Sequence, residues 1–233
     1  MKQLFFLLFA LLILASCRFT TGSGNIISET RTVSNFTGIS VGGSFEVEVK
    51  IGPVTEVKVE ADDNIIKYIE TTVSGNTLKI NTRDLNNYSN VHLKVYITTP
   101  SLFNIKSSAS AEVVIKDVLT GNNTLSFRAS SSSSINAEVN APEIETDVSS
   151  SATVTLSGKT KSYKAEASSS ADIKSFDLLS ENTTVTVSSS ALAQVFASVS
   201  LNARASSSGS VEYRGAATVN KSISSSGSVE KKD

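Results

Sequence analysis

After residue 100 the chain repeats one short motif seven times, and this repetition restricts the possible folds more than any other feature. The motif is two serines followed by a small residue. Aligned on the small residue, its copies fall at Ala109, Ser133, Ala152, Ala171, Ala191, Gly209 and Gly227, with spacings of 24, 19, 19, 20, 18 and 18 residues. Two positions after it runs a mostly apolar column: Ala111, Ile135, Val154, Ile173, Ala193, Val211 and Val229. Four positions before it runs another: Ile105, Ala129, Val148, Ala167, Val187, Ala205 and Ile223. The positions between and beyond are mostly polar. Each unit is therefore expected to hold two alternating strands joined by a serine corner.

A period near 19 with short strands in every unit is the mark of a parallel β-helix. One unit cannot bury its own apolar face, whereas coils stacked about 4.8 Å apart bury a continuous one. Identical residues then lie above one another, and the serine columns are expected to form hydroxyl ladders along the axis. A β-sandwich is the rival, but it needs hairpin turns every 8–12 residues rather than one corner repeated seven times. Composition agrees: of 42 serines, 34 follow residue 100. The mean hydropathy of the whole chain nevertheless stays slightly positive at +0.03, unlike that of a flexible serine-rich chain.

The first half is less regular. Phe45, Val47, Val49 and Ile51 alternate with Glu46, Glu48 and Lys50, and Val57 and Val59 alternate with charged neighbours. Val91, Leu93, Val95 and Ile97 alternate with His92, Lys94 and Tyr96, so His92 is expected on a polar strand face. Between these strands, Asp62-Asp63-Asn64 followed by Ile65, Ile66 and Ile69 predicts a capped turn of helix. Asp at a helix start bonds free backbone N–H groups, which accounts for the adjacent carboxylates without acid/base or calcium chemistry.

The amino terminus reads as a targeting segment. Lys2 precedes an apolar run from Leu4 to Leu14, too short to span a bilayer as a mature helix. The following Leu14-Ala15-Ser16-Cys17 resembles the lipobox of bacterial lipoproteins. That resemblance implies cleavage before Cys17, a diacylglycerol thioether on its sulfur and a durable membrane anchor. Residues Arg18 to Gly24 read as a tether. No acidic cluster follows Cys17, the first acid being Glu29, so the surface-export pattern of some lipoproteins is missing and a periplasm-facing domain is expected.

Other chemistry finds little support. Lys and Arg number 21 against 22 Asp and Glu, which gives no basic excess for nucleic acid. One His and one Cys exclude His-rich metal sites, disulfides and thiolate zinc sites. A nucleophilic serine needs a base and an oxyanion site, and the repeats contain no histidine. Polysaccharide lyases on β-helices cluster acids with Lys or Arg, whereas Asp147, Glu166 and Asp172 read as scattered around the coil. The outward column Ser110, Ser134, Thr153, Asp172, Leu192, Ser210 and Ser228 is too mixed for the threonine rows of ice-binding helices.

Three segments carry a family resemblance: Phe36-Thr37-Gly38-Ile39-Ser40-Val41-Gly42-Gly43-Ser44-Phe45-Glu46-Val47, Val59 to Ile69, and Val95-Tyr96-Ile97-Thr98-Thr99-Pro100-Ser101-Leu102. Together with the Ser-Ser-Ala/Gly repeats they resemble the auto-transporter adhesin "head GIN" domain family over about residues 24 to 230. The resemblance implies a right-handed β-helix-like domain in secreted or envelope proteins of Gram-negative bacteria, and it brings no catalytic residues.

The expected organisation is a signal peptide at 1–16, a lipidated Cys17 with its tether at 17–24, and one β-helix domain at 25–233. Within that domain, 25–105 is the less regular part and 106–233 the repeats. The expected function is a non-enzymatic lipoprotein of the outer membrane that acts as adhesin or scaffold, with a carbohydrate-active enzyme as the alternative. Lipidation of Cys17 is the one site expected, with no catalytic, cofactor or metal residues. The expected partners are the membrane and an unidentified protein or polysaccharide, with no nucleic acid. Glu230-Lys231-Lys232-Asp233 is expected to blunt the open end of the stack, leaving a monomer or a weak end-to-end dimer.

Overall fold

The structure is a computed structural model that describes residues 20–83 and 87–233. Cys17 and the leader lie outside the described residues. Strands account for nearly all the regular structure, and the described residues contain no α-helix. They build the expected parallel β-solenoid, with seven serine-cornered coils stacked in register.

Each corner joins two parallel ladders. The strands entering the corners stack in the order Gly38–Gly42, Asn104–Ser108, Leu125–Ala129, the later part of Ser134–Val148, the later part of Thr153–Ala167, Leu178–Val187, Ser200–Ala205 and Thr218–Ile223. The strands leaving them stack from Glu46–Ile51 through Glu112–Ile115, Ser134, Thr153, Asp172–Ser175, Leu192–Phe196 and Ser210–Arg214 to Ser228–Lys231. The leaving ladder superposes Val47, Val113, Ile135, Val154, Ile173, Ala193, Val211 and Val229, all buried. This is the predicted inward column with one correction.

The correction concerns the first repeat. Val113, not Ala111, aligns with Ile135, and Ser107, not Ile105, aligns with Ala129. The small residue of that corner is therefore Ala111, two positions beyond the one read from sequence. The error arose because Ser107-Ser108-Ala109 imitates the motif, while the bend itself falls at Ala109 and Ser110, where φ is 54° and 66°. Ser107 occupies a core position and satisfies its hydroxyl by donating to the Ala111 carbonyl at 3.1 Å.

The corners are type I′ turns. In the third coil Ser150 and Ser151 have φ of 54° and 60°, and the Ala152 N–H donates to the Ser149 carbonyl at 3.3 Å. The same pair of positive φ values and the same turn bond recur at all seven corners. The left-handed region costs a non-glycine residue on the order of 1 kcal/mol. Stacking offsets this cost: the Ser151 N–H reaches the Ser169 carbonyl of the next coil at 3.0 Å, and Thr153 N–H the Ser133 carbonyl of the previous one at 2.9 Å. The ladders at the corners are thus built from backbone groups. Among the described residues the paired corner serines are exposed and do not form the predicted continuous hydroxyl ladder; hydroxyls bond between coils only locally, as Ser210 with Ser228 and Ser108 to the Val41 carbonyl. Where the motif ends in Ala or Gly, the residue turns inward and is buried or nearly so.

An eighth corner, Gly43-Ser44-Phe45, precedes the serine series. The Phe45 carbonyl accepts from Glu112 N–H at 2.8 Å, as the Ala111 carbonyl accepts from Ser134 N–H, and the buried Phe45 ring closes the small-residue column. Beyond it lies a cap formed by residues 56–83 and 87–99, in an excursion between the first and second coils. Leu93–Thr99 pairs parallel with Glu46–Ile51 and antiparallel with Glu56–Asp62, which in turn pairs antiparallel with Ile26–Arg31. Thr77–Thr82 extends the other ladder and hairpins with Ile69–Ser74. The predicted helical turn is a short 3-10 turn at Ile66–Tyr68, and no side chain caps it.

Candidate ligand-binding face

Two columns of side chains point outward from the entering ladder. One runs Lys106, Arg128, Asp147, Glu166, Thr186, Arg204, Ser222; beside it runs Asn104, Ser126, Glu145, Lys164, Thr184, Asn202, Asn220. Alternation directs them to the face opposite the core residues Phe127, Ala165, Val185 and Ala203, and stacking sets neighbours about 4.8 Å apart. The result is a long, flat polar surface parallel to the solenoid axis.

Asp147 and Glu166 are direct register partners on this surface, with Glu145 and Lys164 the adjoining pair. The sequence reading that scattered these acids around the coil is therefore corrected: Asp147 and Glu166 share one column, and only Asp172 lies elsewhere, on the leaving ladder. Both lie five residues before their corner's small residue, a shared phase already present in the sequence. Lys164 Nζ lies 2.8 Å from Glu166 Oε1. That carboxylate above all, with help from Glu145 and Asp147, holds the Lys164 ammonium above its usual range. Lys106, Arg128 and Arg204 have no ion-pair partner among the described residues.

Three hollows follow the surface. The largest, about 630 Å³, is lined by Lys164, Glu166, Thr184, Thr186, Asn202 and Arg204 among others. One of about 80 Å³ lies among Arg128, Glu145, Asp147 and Lys164, and one of about 290 Å³ lies against Lys106, Arg128 and Asp147. A separate hollow of about 340 Å³ sits around the bend, beside Leu179 and Phe196. The leaving face differs in its charge arrangement. There Lys94 pairs with Glu48 at 2.8 Å, and Lys232 bridges Glu212 at 3.2 Å and Glu230 at 3.1 Å, so much of its charge is neutralised within the protein.

The remaining sequence candidates have structural roles. Asp62 is 2% exposed; one of its oxygens accepts from Gly24 N–H and the other from His92 N–H, both at 2.7 Å. Asp63 accepts from the Ser23 hydroxyl and the Asn25 amide, and these bonds, Ser23 first, hold its carboxyl below the ordinary 3.8. The adjacent aspartates therefore do not cap a helix; they grip a segment about 40 residues away in sequence. His92 is half-buried just ahead of Leu93–Thr99 rather than on a polar strand face. Among the described residues no group of three His, Cys, Asp or Glu side chains is placed to hold a metal ion.

Comparison with known proteins gives a consistent picture. The family described as "Putative auto-transporter adhesin, head GIN domain" matches residues 35–217. A solved structure of a "putative adhesin" from Bacteroides fragilis superposes with a TM-score of 0.84 at 20% identity, covering 91% of this chain and 100% of that one. A "putative adhesin" from Parabacteroides merdae gives 0.75 at 16% identity, covering 92% and 99%. A "putative lipid binding protein" from Parabacteroides distasonis gives 0.73 at 22% identity, covering 93% and 100%. At these identities the likeness shows a shared fold. No curated protein matches the chain.

Proposed function

The chain belongs to the head GIN domain family of auto-transporter adhesins, and from that premise we propose that it is a non-enzymatic, lipid-anchored envelope protein that binds an extended polysaccharide along its entering face. The observation that carries this reading is the double row of polar side chains from Lys106 and Asn104 to Ser222 and Asn220. A polymer of hydroxylated units matches such a row because both repeat along one axis. Thr184, Thr186, Asn202 and Asn220 offer hydroxyl and amide groups, and Arg128 and Arg204 offer guanidinium forks without internal partners. Solenoids provide extended surfaces of this kind without an enclosed cavity.

The anchor is assigned to Cys17 in the outer membrane of a Gram-negative cell, with the domain facing the periplasm. Cys17→Ser abolishes acylation in this reading and releases the protein from membranes; a variant that stays membrane-bound through a carbonate wash refutes the anchor. Shaving of the domain from intact cells by added protease refutes the orientation.

The meeting of Glu145, Asp147 and Glu166 with Arg128 and Lys164 favours a second reading, a polysaccharide-cleaving enzyme. None of the three acids is buried, and desolvation of the kind that tunes a catalytic acid requires burial. A panel of purified envelope polysaccharides incubated with the soluble domain separates the two. Retention without chain shortening is expected. Turnover that Asp147→Asn or Glu166→Gln abolishes overturns the non-enzymatic assignment.

A further inference from the structure

The segment read from sequence as a tether is held along its described length. Thr20–Thr21 pairs in parallel with Tyr88–Ser89, and Thr20 N–H donates to the Asn87 carbonyl at 2.9 Å. Ser23 N–H donates to Asn64 Oδ1 at 3.1 Å, and Asn64 Nδ2 donates to the Thr21 carbonyl at 2.9 Å. The Ser23 hydroxyl and Asn25 amide donate to the two Asp63 oxygens at 2.6 and 2.8 Å, and Gly24 N–H donates to the buried Asp62. Gly22 is required for close approach here, since a Cβ on it would lie 2.6 Å from both the Asn90 carbonyl oxygen and Asp62 Oδ2. Gly22 thus belongs to a closely fitted contact, while Gly24, with open space where a side chain would stand, serves through its φ of 80° and its N–H bond to Asp62.

We propose that Thr20–Asn25 is a rigid mount that holds the amino-terminal cap of the solenoid against the lipid surface and its last coil away from it. This rests on the lipid anchor assigned to Cys17. Three peptide units separate Cys17 from Thr20, a reach of at most about 11 Å. The mount joins the strand Ile26–Arg31, the outermost of an eleven-strand ladder whose far end is Ser228–Lys231. Ten spacings place those ends about 48 Å apart. With the mount intact, the bilayer meets the cap, and the Arg204 and Asn220 end of the ligand-binding face stands farthest from it. With the mount opened, the freed chain from Cys17 to Asn25 reaches about 30 Å, and the rod loses its preferred orientation.

The chain has one cysteine and no tryptophan, which makes a direct test possible. The polypeptide from Cys17 to Asp233 is coupled through Cys17 to maleimide-headed lipid in phosphatidylcholine vesicles containing dansyl-headed lipid. Single tryptophans replace Ile26, beside the mount, or Ile223, in the last coil; both side chains are exposed, at 42% and 46%. Energy transfer to the dansyl groups is expected to be several-fold greater from Ile26→Trp than from Ile223→Trp. Gly22→Val or Asp63→Ala is expected to shrink that difference while leaving the circular-dichroism melt of the body in place. Equal transfer from both reporters with the mount intact, or a difference that neither variant changes, overturns the proposal. Chemical coupling bypasses the cell's acylation machinery, so failure here is distinct from failure of the Cys17 assignment, which mass spectrometry of the native protein tests separately.

Discussion

Val154→Ala probes the register on which the whole assignment of faces depends. Val154 is fully buried between Ile135 and Ile173 in the leaving ladder. Removing two methyl groups forfeits about 1.6 kcal/mol of transfer free energy at about 0.8 kcal/mol per buried carbon. The stacked backbones above and below limit collapse, so a residual cavity raises the cost to about 2 to 3 kcal/mol. In a domain of this size that lowers the melting midpoint by about 5 to 10 °C. The control is the next residue along. Thr153 points to the opposite face and is the register partner of Asp172, so Thr153→Lys gains an opposite charge and stays within about 0.5 kcal/mol of the parent. Thr153→Asp is a poorer control, because it stacks like charges. Thermal melts followed by circular dichroism read both variants. Equal destabilisation by Val154→Ala and Thr153→Lys refutes the register.

Three further outcomes follow from particular contacts. Gly158 has φ of 112°, and a Cβ there would lie 2.0 Å from the Val139 carbonyl oxygen, so Gly158→Ala is expected to cost at least about 3 kcal/mol; a melt within a degree or two of the parent contradicts the close coil contact. The hydrogen bond from Lys94 is the chief cause holding the Glu48 carboxyl below 4.5, so its stabilisation is present above pH 4.5 and lost as pH falls through the lower folded value. Acid unfolding of Glu48→Gln therefore begins with less stability at neutral pH and shows a shallower decline below pH 4.5; unchanged pH dependence removes the linkage. At the open end, Lys221 and Lys231 occupy ladder positions that continue Ala203 and Tyr213, and Lys232 is folded onto Glu212 rather than loose in a tail. Lys221→Val with Lys231→Val is expected to produce concentration-dependent association in light scattering, and a strictly monomeric double variant rules out these lysines as the device that blunts the edge.

The repeats were legible because stacking forces like residues into columns, so Ile135, Val154 and Ile173 announce their common direction by spacing alone. The same logic failed at the first corner, where Ser107 imitates a corner serine while filling a core position. It failed again at Gly43-Ser44-Phe45, which turns the chain at the same place in the coil by a different bend, with positive φ at Gly43 alone and the Phe45 N–H donating to the Gly43 carbonyl. The grouping of Asp147 with Glu166 is encoded in their equal distance to the corner, a matter of phase in the repeat that residue type at single positions does not carry. The cap and the mount were not legible. Strand pairing across the excursion from Glu56 to Thr99 and the grip of Asp62 and Asp63 on Ser23–Asn25 depend on tertiary contacts between segments far apart in sequence, for which no local pattern stands. Gly22 shows the difficulty most plainly: a residue type that usually signals freedom is present because a backbone and a carboxylate approach too closely for any side chain.

The claim that the entering face takes the ligand is tested most directly by calorimetric titration of an envelope polysaccharide retained by the domain. The parent is compared with Arg128→Ala/Lys164→Ala/Arg204→Ala and with a leaving-face control, Lys174→Ala. The account predicts affinity lowered at least about 10-fold in the triple variant, on the scale of one or two lost charge-assisted hydrogen bonds. It also predicts no change of affinity in the control, with both variants fully folded at the titration temperature by circular dichroism. Equal affinity in all three proteins, or loss confined to Lys174→Ala, contradicts it.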